Sequence, residues 1–220
     1  GSDIVVAGNL TAKEGGNINV EGDFLSFGGE VDVSGTNAGA INFNSSGEIA
    51  LGGTLNASST GNDGGDINIK SQYKIVQSHS SEINSSGNTN GGNILLSAPN
   101  IMSSGSVSAK GDQQGGYIDI ESEGYIRLLS SKIDVTGNTQ GGLVRIGGEF
   151  QGNNNLTRTE EQQDVFVDRW GERRSLTNAK TVLVSDGSRI DISSSNGKAG
   201  TAIIWSDQET TMLGNIIATG

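Results

Sequence analysis

The phrase Gly-Gly-x-Ile-x-Ile recurs along this chain and constrains its fold more than any other feature. It appears at Gly15–Val20, Gly64–Ile69, Gly91–Leu96, Gly115–Ile120 and Gly141–Ile146, with weaker copies at Ala38–Phe43 and Ala199–Ile204. The second residue of each copy falls at 16, 39, 65, 92, 116, 142 and 200. All the steps but the last are therefore close to 25 residues. A repeat of that length marks a stacked array in which each unit contacts only its neighbours.

Two further alternating stretches complete each repeat. One is the patch Leu25/Phe27, Ile49/Leu51, Tyr73/Ile75, Ile101, Ile126/Leu128 and Val182/Val184. The other ends the repeat, as in Glu30–Gly35, Glu82–Gly87, Lys132–Gly137 and Arg189–Ser193. Short alternating runs bounded by Gly, Asn and Ser read as strands joined by turns. Three strands in about 25 residues predict an all-β chain, a parallel β-helix of roughly seven coils forming one unit over residues 1–220. In the opening phrase, Ile18, Ile41, Ile67, Ile94, Ile118 and Val144 form the inward column. Asn19, Asn42, Asn68, Leu95, Asp119 and Arg145 form the outward one. The glycine pairs are expected at tight corners that need positive φ. A narrow interior needs few large side chains, which accounts for a hydrophobic content of only 32%. Disorder is set aside because the apolar residues alternate strictly.

With a formal net charge of −11, a broad basic surface for nucleic acid or anionic lipid is excluded. No apolar run approaches the ~18 residues of a membrane span. Gly1-Ser2 resembles an expression remnant, and the chain reads as an internal piece of a longer, monomeric protein. No cofactor or metal is expected. The single His79 has no cysteine or second histidine to join it. Asp32, Asp134 and Asp191 share an outward column interrupted by Asn56, Asn84 and Ser108. The sequence thus singles out no carboxylate pair of the kind glycosidases use, and no enzyme activity is expected. Five Asn-x-Ser/Thr triplets, at Asn9, Asn44, Asn56, Asn84 and Asn155, are candidate sites of glycosylation.

The repeat is broken once. Between 142 and 200 lie about 33 residues more than one coil requires, and the surplus falls in an insert at 147–180. Eleven of its 34 residues are charged, against 28 in the other 186. Loops on rigid scaffolds carry function, and Arg and aromatic side chains are favoured anchors. Phe166, Arg169, Trp170, Arg173 and Arg174 are the candidate ligand contacts. Val165–Asp168 is expected to be a strand that Gly171 turns back towards Ser175-Leu176. The alternative is a segment that packs flat on the rod and shields one face, its arginines neutralised by Glu160, Glu161, Asp164, Asp168 and Glu172.

Beyond the repeat, Gly141–Gly152, then Asn178-Ala179, Gly187–Ile192, Ala202–Asp207 and Gly214–Gly220 together resemble the shaft of exoproteins of the two-partner secretion family. Filamentous haemagglutinin and the high-molecular-weight Haemophilus adhesins belong to it. The resemblance implies a right-handed β-helix. It also implies export across a Gram-negative envelope by a partner outer-membrane transporter, a secreted or cell-surface location, and a role in virulence through adhesion to a host-cell receptor or glycan. Some members carry sugars on Asn-x-Ser/Thr. A purely structural spacer is the alternative, and a polysaccharide-active enzyme a more distant one.

Overall fold

The computed structural model describes residues 2–153 and 160–220. They form a right-handed parallel β-helix of about seven coils with three strands per coil. The first sheet runs from Asp3–Val6 to Glu209–Met212 and has eight strands. The second runs from Leu10–Thr11 to Asn215–Ile217, also with eight. The third holds the seven strands of the glycine-led phrase, from Asn17–Gly22 to Thr201–Ile204. Every strand pairs in parallel with its counterpart one coil away, as Ile41↔Ile67↔Ile94↔Ile118 does in the third sheet.

This register turns sequence alternation into columns. Ile41, Ile67, Ile94, Ile118 and Val144 are each at most 2% exposed. Beside them run Phe43, Ile69, Leu96, Ile120 and Ile146 on the same sheet, and Val31, Leu55, Ile83, Val107, Ile133 and Ile190 on the second. Burying each such side chain contributes about 1.5–3 kcal/mol. Phe27 stacks on Phe43, with ring centroids 4.1 Å apart.

Three sequence expectations need correction here. Tyr73 is 58% exposed just before the strand Lys74–Gln77, whose inward pair is Ile75 and Gln77. The buried Gln77 amide is satisfied by its neighbours: its oxygen accepts from Ser103 Oγ at 2.6 Å, and its nitrogen donates to the Ser106 carbonyl at 3.0 Å. The glycine pairs, second, serve close approach rather than positive φ. Among the pair members only Gly15 has φ in the left-handed region. A Cβ on Gly39 would lie inside the contact radius of the Gly16 carbonyl oxygen, and one on Gly116 inside that of Gly92. Third, Val165–Asp168 is not a strand but lies in an α-helix, Glu160–Trp170.

The insert leaves the ladder intact on both sides. Leu143–Ile146 pairs with Thr201–Ile204, and Tyr125–Leu128 with Thr181–Val184.

Candidate functional site: the insert and the groove beside it

The chain leaves the third sheet after Ile146 through backbone that favours glycine. Gly147, Gly148 and Gly152 all have positive φ, as does Gln151. A Cβ on Gly152 would press on the Trp205 indole about 3.0 Å away. The helix follows, and Gly171, at φ 69°, ends it in the left-handed conformation with its N–H on the Val167 carbonyl at 2.8 Å. Residues 172–177 then run back as an extended strap across the outer face of the third sheet. Asn178 closes the base of the insert by donating to the Gly152 carbonyl at 2.9 Å.

What the strap covers is the feature that alternation alone does not reveal. Asp119 and Arg145 occupy the outward column as expected, yet they are 6% and 0% exposed. Arg145 grips Asp119 with two donors, Nε to Oδ1 at 2.8 Å and Nη2 to Oδ2 at 2.6 Å. Its Nη1 donates to Glu149 at the start of the insert and to the Arg174 carbonyl at 3.0 Å near its end. One buried guanidinium thus ties both limbs of the insert to the sheet. Around it Leu143, Trp170, Leu176 and Ile203 are buried outside the interior core, forming a small second core on the rod's outer face.

The five candidate contacts have different surroundings. Trp170 is 5% exposed; its Nε1 donates to Thr201 Oγ1 at 3.1 Å and its ring meets Tyr117 edge-on. Arg169 lies over that indole and donates to the Ala199 carbonyl, and burial lowers its pKa. Phe166 is half-buried on the helix, next to the exposed Val165. Arg174 is exposed and pairs with Glu121 at 3.1 Å. Arg173 is half-buried, with its guanidinium 3.8 Å above the centre of the Tyr117 ring. Of the acids expected to neutralise these arginines, Glu160, Glu161 and Asp164 have side chains outside the described residues, as does all of Asn155.

Glu121 fastens the strap. Burial alone would raise its pKa, but the Thr177 N–H at 3.0 Å, the Arg174 guanidinium and Ser97 together hold it below the ordinary glutamate value of 4.5. A carboxyl whose pKa falls on folding stabilises the fold above its unfolded value, and that contribution fades as pH drops through the folded one. The protection factor of the Thr177 amide, its exchange rate relative to the unfolded chain at the same pH, should therefore hold from neutral pH down to about 4.5 and fall below it. Glu121→Gln should flatten this dependence. Protection that persists unchanged to pH 3 would contradict this role.

A hollow of about 390 Å³ lies between the strap and the exposed part of the third sheet, lined by Asn68, Lys70, Leu95, Tyr117, Glu172 and Arg173 among others. The sequence places Asn68 and Leu95 in the outward column but assigns no binding role to them, nor to Lys70 or Tyr117. The register would have found them, since they lie one and two coils before the residues the strap covers. Elsewhere, Asp32, Asp134 and Asp191 form the expected interrupted column, each in an ion pair, with Lys13, Lys110 and Arg189 respectively. His79 is exposed and its Nδ1 lies 3.2 Å from the Ser104 carbonyl. Among the described residues, no three His, Asp or Glu side chains gather as a metal site would require. No helix among them is long and apolar enough to cross a membrane.

The glycosylation triplets also differ in access. Asn56 and Asn84 are register partners and half-buried, and their Oδ1 atoms accept from the N–H groups of Ser58 and Ser86. Asn9 is exposed, with its Oδ1 on the Glu30 N–H. Asn44 is exposed and its amide makes no such bond. If the triplets are acceptors, peptide mapping of the protein from its native source should find Asn44 modified before Asn56 or Asn84. Full occupancy of both Asn56 and Asn84, with none at Asn44, would refute this order.

No protein-family model, no curated protein and no solved structure matches this chain.

Proposed function

We propose that this chain is a segment of a secreted bacterial surface adhesin, a stiff rod that presents a glycan-binding face away from the cell. The observation that carries the reading is the docked insert. The single irregular segment of a regular array is fixed by a buried arginine beside a polar hollow, which is how a scaffold presents a recognition surface. The resemblance to two-partner secretion exoproteins supplies the route, export through an outer-membrane transporter, and the host cell surface as target.

The test is binding of the fragment to cultured epithelial cells and to a glycan array. It is compared with a variant whose residues 153–177 are replaced by a short Gly-Ser link. Circular dichroism should show both rods folded, because the ladder passes the insert on either side. The shortened rod should lose binding. A folded, shortened rod that binds as well as the original would move the contact to other faces. Absence of binding by the intact fragment would favour the second reading, a plain shaft. That reading draws on Trp170 and Leu176, which are buried against the outer face of the rod and make the insert a cover.

A further inference from the structure

We propose that the hollow between the strap and the third sheet is a subsite for a monoanionic, carboxylated sugar, with Arg173 and Lys70 as its anchors. This rests on the adhesin reading and narrows it.

Charge accounting in the hollow is specific. Arg174 is occupied by Glu121, and Asp119 by Arg145. Lys70 and Arg173 form no ion pair or hydrogen bond with any described residue, and Glu172 forms none either. The unpaired charges that line the hollow are therefore two cations and one acid, on a chain of formal charge −11. Two cations beside one acid suit a single carboxylate better than a doubly charged phosphate or a run of sulfates.

Arg173 is also held ready. One face of its guanidinium rests on Tyr117 at 3.8 Å, so the plane is fixed while the donors along its edge stay unused. A fixed guanidinium edge matches a carboxylate through two parallel hydrogen bonds. Lys70 adds a second charge from the sheet. Its immediate ladder neighbours Asn44 and Ser97 are neutral, and the acids of its column, Glu21 and Glu121, lie two coils away on either side.

The remaining walls suit a sugar. Asn68 donates its Nδ2 to Asn42 at 3.0 Å, the last bond of a ladder that starts with Asn42 donating to Asn19 at 2.9 Å. This ladder holds the Asn68 amide in place and leaves its oxygen as an acceptor for a hydroxyl. Leu95 offers an apolar patch for a ring face. Lys70 also lines an open cleft of about 620 Å³ along the corner of the sheet, with Glu21, Asn44, Ser46, Gln72 and Ser97. Neighbouring sugars of a longer chain would continue there, among hydroxyls and amides.

The experiment uses the full chain on an array holding carboxylated, methyl-esterified, sulfated and neutral glycans. Variants are Arg173→Gln and Lys70→Gln, with Lys74→Gln as a control. Lys74 is paired with Glu48 on a different sheet. Binding should concentrate on carboxylated glycans and vanish on their methyl esters. It should weaken about tenfold or more with Arg173→Gln and with Lys70→Gln, as loss of a charge-assisted contact implies, and stay unchanged with Lys74→Gln. Equal or better binding to sulfated or neutral glycans overturns the subsite, as does full binding by both variants; cell binding that persists in either case leaves the adhesin reading standing. Retention of neither glycans nor cells overturns both.

Discussion

Ile67→Asp is expected to be the most damaging single change in the rod. Ile67 is fully buried between Ile41 and Ile94, in a column that offers no counter-charge. The substitution removes about 1.5–3 kcal/mol of apolar burial and places a carboxylate where water cannot reach it. A buried, unpaired charge is costly enough that the group would sooner stay protonated. The combined loss should be at least ~4 kcal/mol. Because each coil rests only on its neighbours, the coils on both sides of position 67 should lose amide protection together. A variant that melts with the wild type would mean that the columns do not run as described. One position along, Asn68→Asp points outward and breaks only the bond to Asn42, so a loss near 1 kcal/mol is expected.

Arg145→Ala should have the second largest effect, and a different one. It leaves Asp119 and Glu149 buried without their shared cation, and removing one partner of a buried ion pair costs roughly 3–5 kcal/mol. The damage should centre on the insert, since Arg145 holds both Glu149 and the Arg174 carbonyl. Limited proteolysis between 171 and 177 should become fast, while amides of the first coils stay protected. A strap that resists protease as before would show that Leu143, Trp170, Leu176 and Ile203 suffice to hold it.

The rod was legible in the sequence because its physics is local. Alternation decides which side of a strand is dry, and a fixed step repeats that decision in each coil, so Ile41, Ile67 and Ile94 could be aligned without coordinates. What alternation cannot reveal is whether something else covers the outer side. Asp119 and Arg145 were placed outward correctly, yet they are buried, because the cover comes from residues more than 25 positions away. A clue was present in the register. In the column that ends at Asp119, Arg145 and Ile203, the residues of the early coils are neutral: Asn19, Asn42, Asn68 and Leu95. They become Asp119, Arg145 and Ile203 where the insert returns, with Leu143 one step aside. The helix was missed for a simpler reason. Val165-Phe166-Val167 looks like a strand in isolation, whereas Glu160-Glu161-Gln162-Gln163 before it favours a helix. The glycine pairs were located correctly but explained by the wrong property, since their need is space against the next backbone.

The insert departs from the rod and returns to it within a single coil, and the strands before and after it pair as though it were absent. Evolution can therefore exchange this segment as a cassette. Its length and outer residues are free to drift. The repeat beneath it cannot drift in step, because a side chain added at the glycine corners would push adjacent coils apart. Any replacement cassette would have to cover the arginine at 145 and the apolar side chains of Leu143 and Ile203 beside it. A lineage of such rods would then show fast change at the tip of the insert and very slow change at the two places where it is tied down.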